Sequence, residues 1–395
     1  MNTMSDILYM AWRYLAYHKV KSVILVVSIT LIIYLPIGLK VVVDQSAESL
    51  TARAASTPLI IGVRGSPLEL VLNTLYLESD VPGTMPYSES TRVSEYGLAT
   101  AIPMYTRFRA GRHPIVGTTL DYFDFRGLEV AAGRTMSMLG ECVLGATAAE
   151  RMGVAPGGAV ISSPESVFDL AGVYPLKMQV TGVLAPTETP DDEAIFVDIK
   201  TAWIIEGLAH GHEDLSRPEA APSVLKREGN TVVGNASVVQ YNEITAENID
   251  SFHFHGDPAT FPLTAVIAVP PDEKSSALLQ GRYLGDDERV QIVKPVHVMD
   301  ELIETILTVQ TYIVTAVIVA GFTTLATAVL VFLLSLQLRL REIATMHKIG
   351  ASRARVFSML AAEIVVVMLL GCGFAAVLTA VTGRFGAEII RAMVL

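Results

Sequence analysis

From Thr305 to Leu338 the chain runs 34 residues without a charge. As an α-helix such a run spans ~51 Å, against a bilayer core of ~30 Å. A helix that is apolar all round belongs in lipid or deep in a large core, so this segment is read as a transmembrane helix whose excess length projects as a stalk. Glu301 and Glu304 close it on one side, Arg339 and Arg341 on the other. Two shorter stretches share its character. Ser22 to Leu39 is uncharged between Lys21 and Lys40 and spans ~27 Å. It is too long for the apolar part of a signal peptide, and no A-x-A site follows it. Pro36 and Gly38 predict a kink or an end to its regular part. Ile364 to Gly383 is uncharged as well, with Gly371, Gly373, Ala375 and Ala376 offering close backbone approach to a neighbour. Ahead of the first stretch, Ile7, Leu8, Ala11, Trp12 and Leu15 share one helical face opposite Asp6 and Arg13, the pattern of a helix lying in the membrane interface.

The charge distribution sets the orientation. Net charge is −11, but residues 1–43 and 305–395 together carry +7 and residues 44–304 carry −18. Arg13, Lys19 and Lys21 precede the first span, and Arg339, Arg341, Lys348, Arg353 and Arg355 crowd the loop between the second and third. Both clusters are expected in the cytoplasm. The expected order is an interfacial helix over 1–18, a transmembrane helix over 19–43, an extracytoplasmic domain over 44–304, a transmembrane helix with stalk over 305–338, a cytoplasmic coupling region over 339–357, a transmembrane helix over 358–383 and an extracytoplasmic tail over 384–395. The fold class is therefore an α+β membrane protein with three transmembrane helices. The acidic balance argues against a nucleic-acid binder, and two cysteines exclude a disulfide scaffold and a four-cysteine zinc site.

Within the outer domain, Pro58–Val63, Leu98–Arg107, Pro114–Thr119, Met178–Val183, Ala194–Val197 and Thr264–Val269 read as strands. Pro67–Leu77, Gly145–Met152 and Ser275–Gly281 read as helices. Residues 41–56 read as a polar helical continuation of the first span. Residues 207–234, rich in polar residues, Pro and Gly, read as a long loop. Cys142 reads as a small buried strand residue, and Asp191, Asp192 and Glu193 as a solvated acidic turn. Ser162, Ser163 and Ser166 lack a G-x-S-x-G context, so no serine nucleophile is expected. Glu363, at the membrane boundary, reads as a partner for Arg355 or for a basic residue of another subunit.

The cytoplasmic stretch runs Arg341-Glu342-Ile343-Ala-Thr-Met346-His347-Lys348-Ile349-Gly350-Ala351-Ser352. Ile343, Met346 and Ile349 fall along one side of a short helix, Gly350 suits its C-terminal cap, and Ser352 suits the N-cap of the next helix. A helical turn just inside the membrane can take a push from another protein. In this pattern, R-E-I-x-x-x-x-x-I-G-A-S between a second and a third span, the chain resembles the permease subunits of MacB/FtsX/LolC-type ABC transporters. Glu363, Gly371 to Gly373, the run from Val116 to Phe123 and Gly133-Arg134-Thr135 extend the likeness. It implies two permeases, a second copy or a paralogue, on two ATPase subunits that bind ATP and magnesium. It further implies a porter-like outer lobe with a β-rich lobe inserted at about 115–235, and residence in the cytoplasmic (inner) membrane. The ATPase contact falls on Arg341, Glu342, Ile343, Met346, His347, Ile349, Gly350, Ala351 and Ser352. No G-x-x-x-x-G-K-[ST] occurs, so the ATPase is a separate polypeptide and this chain is not itself expected to be an enzyme. Two departures stand out. Twelve residues follow Gly383, too few for the family's fourth span, and Lys348 stands where the family commonly has a small residue.

Such a permease would move a lipoprotein, peptide or hydrophobic substrate with the help of lipids and a periplasmic adaptor or substrate protein. An FtsX-type regulator would instead activate an extracytoplasmic partner. A third class is suggested by His210-Gly-His212-Glu-Asp214 and His253-Phe-His255-Gly-Asp257. Alternate residues of a strand share a face, and clustered imidazoles with carboxylates suit zinc or copper. These six residues, His210, His212, Asp214, His253, His255 and Asp257, are the candidate metal ligands of a metal-handling module.

Overall fold

The computed structural model describes residues 3–78, 81–163, 175–212, 224–228, 231–234, 241–285, 288–338 and 340–394. Two units emerge: Met1–Ala52 together with Asp300–Leu395, and Arg53–Met299.

The second unit is mixed α and β. Leu59–Val63, with Leu59, Ile60 and Ile61 fully buried, sits inside a four-stranded antiparallel sheet. Its neighbours are Val290–Val293 and Ala265–Val269, and Thr100–Met104 lies beyond the latter. Gly62 leaves room for Leu70: a Cβ there would lie 2.3 Å from Leu70 Cδ1. Leu70 belongs to the helix Pro67–Tyr76, which has the proline expected in its first turn and is capped by Ser66. A seven-stranded sheet occupies the chain between Thr100–Met104 and Ala265–Val269. It runs Arg109–Ala110, His113–Thr118, Ile195–Asp198, Glu141–Leu144, Lys177–Leu184, Val130–Gly133, with Ala159–Ile161 on the side of Lys177–Leu184. Two of its pairings are parallel, His113–Thr118 with Ile195–Asp198 and Glu141–Leu144 with Lys177–Leu184. Cys142 is buried in this sheet, and burial pushes its thiol up to about 12.

Residues 207–234 are not one long loop. Ala209–Gly211 pairs antiparallel with Phe252–Phe254, and Val224–Glu228 forms a hairpin with Thr231–Gly234. Three-residue strands are too short to show an alternating pattern. Only the distant partner at 252–254 defines the first of them.

The first unit is helical. Its long elements are Lys19–Ala55, Pro295–Leu338 and Arg353–Val394, and three spans within them are long and apolar enough to cross a membrane. The Thr3–Tyr17 helix packs on the last of these. Pro36 does not end the first long helix, which continues to Ala55. Side chains before and after the proline tie it to the third long helix. Thr30 Oγ1 reaches Gly371 O at 3.3 Å, the Tyr34 hydroxyl bonds Thr382 Oγ1 at 2.8 Å, and Gln45 Nε2 donates to Gly383 O at 2.7 Å. Such packing lets a transmembrane helix tolerate a missing backbone donor. Residues 384–394 continue the third long helix. Of the small residues there, Gly371 meets its neighbour, since a Cβ would lie 2.6 Å from Ile29 Cγ2, while Gly373 faces open space. Along the second long helix, Thr305, Thr308, Thr311, Thr315, Thr323, Thr324 and Thr327 each donate a hydroxyl to the carbonyl four residues back, at 2.7–3.1 Å.

Candidate functional site

The segment between the second and third long helices folds into the short helix Leu340–Lys348 and a tight turn. Gly350 adopts φ +97° with nothing within 4 Å of the place a Cβ would take, so the glycine is required by the backbone and not by packing. Ala351 N donates to Met346 O at 2.9 Å and Gly350 N to His347 O at 3.1 Å, which satisfies the last carbonyls of the helix. His347 Nδ1 lies 3.0 Å from Ala351 O, a bond that requires the proton on Nδ1. Ser352 Oγ accepts from Arg355 N at 3.3 Å and caps the next helix. Ile343 and Met346 are half-buried, whereas Ile349 is 80% exposed and Phe357 73% exposed. Arg341, His347 and Lys348 are also exposed around them, and Glu342 lies in the same short helix. The turn thus offers two large apolar side chains within a basic surround. Glu363, on the helix that follows the turn, is buried, and it lines a cavity of about 590 Å³ with Tyr14, His18, Lys21 and apolar residues of the three long helices.

In the Arg53–Met299 unit the acidic turn Pro190–Glu193 is not solvated. Asp191 is 1% and Asp192 8% exposed. Both carboxylate oxygens of Asp191 take Arg53 at 2.9 Å, and Tyr122 bridges the pair, accepting from Arg53 at 3.1 Å and donating to Asp191 at 2.8 Å. Arg53 Nε also donates to Leu75 O. Burial alone would raise the Asp191 carboxyl, but the Arg53 charge and its hydrogen bonds bring it below the usual carboxylate range. Burial, then the Asp191 charge, pushes the Tyr122 hydroxyl up to about 12. Asp192 accepts from the Thr187 and Glu188 backbone amides, and Glu193 pairs with Arg151 at 3.0 Å. Gly145 packs directly on this turn, where a Cβ would lie 2.2 Å from Asp191 O.

The histidine pairs meet on the ribbon of Ala209–Gly211 and Phe252–Phe254, where His210 stands opposite His253. His210 lies 4.9 Å from His253, 4.6 Å from His255 and 5.8 Å from His212, between ring centroids. Ligand nitrogens of His210, His212 and His253 all fall within 4.8 Å of one another. Burial, then the neighbouring histidines, lowers the His210 ring. Asp257 caps the following turn by accepting from Ala259 N. Asp214 lies outside the described residues.

Residues 23–246 match the model of the MacB-like periplasmic core domain, more than half of the chain. This chain belongs to the MacB-like family. It is accordingly a permease of the MacB/FtsX type of ABC transporter, a membrane protein with transmembrane helices and an extracytoplasmic domain. Solved structures similar to this MacB-like chain include the extracellular domain of the noncanonic ABC-type transporter YknZ from Gram-positive bacteria. It has 12% identity and a TM-score of 0.32 over 60% of this chain and 98% of that one. The periplasmic region of MacB from Actinobacillus actinomycetemcomitans has 14% identity and a TM-score of 0.33 over 63% of this chain and 92% of that one. A domain of a permease protein from Porphyromonas gingivalis has 13% identity and a TM-score of 0.27 over 60% and 86%. No curated protein matches the chain significantly.

Sequence reasoning missed Arg53 and Asp191 as a pair. The available signal was Tyr122, which falls inside the run from Val116 to Phe123 that carries the family likeness.

Proposed function

We propose that this MacB-like permease couples ATP hydrolysis on a separate ATPase to motion of its outer unit, for export or extraction of a lipoprotein, peptide or hydrophobic substrate. The observation that carries the reading is the turn at Gly350, which offers exposed Ile349 and Phe357 at the junction of two long apolar helices. In this reading 19–43, 305–338 and 358–383 cross the inner membrane, 44–304 lies outside, and 339–357 meets the ATPase. Two ATPase subunits, each with ATP and magnesium, serve two permease copies. Closure of the ATPases presses on the turn, and helices unbroken over 37 and 44 residues carry the displacement outward. Helices suit that task because their hydrogen bonds run along the axis. Arg53, near the end of the first long helix, is held by a charge-assisted bidentate pair, so the last turn of that helix moves with the sheet turn at Asp191.

The test is a Gly350→Val variant paired with Glu342→Arg, each copurified with the ATPase in mild detergent. The valine forces a β-branched residue into a left-handed conformation at a cost of ~1–2 kcal/mol. Both variants should insert normally and yet lose the ATPase or its coupled turnover by about tenfold. Unchanged copurification and unchanged coupled turnover in both would remove this turn from the contact. Retained ATPase with a soluble hydrolase in place of a transport substrate would identify a regulator instead.

A further inference from the structure

The histidine ribbon is unused by the coupling reading, and its geometry is specific. Ala209 and Gly211 are buried, and Phe252 and Phe254 pack against the hydrophobic core. Gly211 is the seat of Phe252, since a Cβ there would lie 2.5 Å from the Phe252 ring. Alternation along each strand then sends His210 and His212 to the opposite face from one strand, and His253 and His255 to it from the other. The register His210 opposite His253 makes these two the centre of the group. In an antiparallel ribbon the diagonal neighbours come next. His212 lies beside His253, at 5.3 Å between ring centroids, and His255 lies beside His210 at 4.6 Å. Four imidazoles therefore line one face without an intervening aliphatic side chain.

We propose that His210, His212 and His253 hold one divalent transition-metal ion, zinc, on this ribbon, with His255 as the exchangeable fourth ligand. Four lines of argument support it. The three ligand nitrogens already lie within 4.8 Å of one another. Tetrahedral zinc with Zn–N bonds of ~2.0–2.1 Å needs them about 3.4 Å apart, so each ring moves by less than about 1 Å. The donor set is all imidazole, which suits a borderline ion and not calcium or magnesium. His253 Nδ1 lies 3.1 Å from Ser251 O. That carbonyl accepts the Nδ1 proton and leaves the Nε2 lone pair for a metal, the outer contact that metal-bound histidines usually make. Finally, Asp257 Oδ1 accepts from Ala259 N in its own turn, and the donors gathered at one point among the described residues are ring nitrogens. Bound zinc would clip together two strands that pair in register over three residues, and would close the intervening chain, residues 213–252, into a loop.

The test uses the full-length chain, purified in detergent with a histidine-free tag, stripped by a chelator and titrated with zinc alone. The expected result is one zinc per chain. His253→Ala should weaken binding on the order of 100-fold, because it removes a central ligand. His255→Ala should weaken it by about tenfold or less. Cobalt in place of zinc should give the intense visible bands of a tetrahedral site, and His210→Ala should abolish them while Trp203 fluorescence, from the buried core of the same unit, stays unchanged. Failure of the stripped protein to bind zinc would overturn the proposal. So would equal binding by wild type and His253→Ala, or the weak pale spectrum of octahedral cobalt.

Discussion

Apolar residues behave oppositely in the two units. In Arg53–Met299, Leu59, Ile60, Ile61, Val266 and Ile267 are wholly buried, and the core is closed by the chain's own sheets and helices. In the helical unit, Val319, Leu369 and Phe322 are 61%, 67% and 70% exposed. The residue types are the same, and the solvent each expects is different. The outer unit obtains its stability from water exclusion among its own side chains. The helical unit exposes its apolar faces, as transmembrane helices do, and its internal contacts include close backbone approaches and isolated polar bonds.

The largest effect that this contrast predicts is at Arg53. Arg53→Met strands the Asp191 carboxylate in a dry site and should destabilise the outer unit by ~3–5 kcal/mol, read as denaturant unfolding by Trp203 fluorescence in the full chain. The double variant Arg53→Met with Asp191→Leu removes both charges and should recover most of the loss. Wild-type stability in the single variant would mean that the outer unit does not depend on this buried pair.

A smaller effect is expected in the helical unit. Gly371→Val drives side-chain atoms into Ile29, where even a Cβ would lie 2.6 Å away, and should cost ~1–3 kcal/mol. Gly373→Ala, which faces open space, should stay within about 0.5 kcal/mol. Detergent-induced unfolding read by protease resistance of the helices distinguishes them. Equal responses would show that the helices do not pack at Gly371.

The smallest effect sharpens the electrostatics of the outer unit. The Arg134 hydrogen bonds, opposed by burial and helped by the Ser137 and Met138 amides, hold Glu141 down to about 2. A depressed carboxyl contributes stability that is fully present above its unfolded value of about 4.3 and is lost as pH falls toward 2. Asp191 shifts in the same direction. Trp203-monitored stability should therefore decline between those limits, and Glu141→Gln should flatten the decline. An unchanged slope would assign it to other groups.

The long helices and the turn at Gly350 were legible because their signals are local. A charge-free run, a glycine after a helix and a serine before one need no distant partner. Cys142 was legible for the same reason, as an apolar strand residue. Asp191 was not. Its surroundings in sequence, Pro190, Asp192 and Glu193, describe an exposed turn, and only Arg53, 138 residues earlier, makes it a buried ion pair. The ribbon at Ala209–Gly211 escaped for a related reason, since its three residues acquire a strand identity from Phe252–Phe254 alone. Pro36 misleads in the other direction, because the helix runs through it and its side-chain contacts on either side come from residues 371–383.

The threonines of the second long helix carry a consequence for biogenesis. A hydroxyl taken into hydrocarbon without a partner costs several kcal/mol, and each threonine within the span would oppose transfer from the translocation machinery into lipid. Here every one is satisfied by a carbonyl of its own helix. For these hydroxyls the helix supplies its own partners, so masking them requires no companion helix.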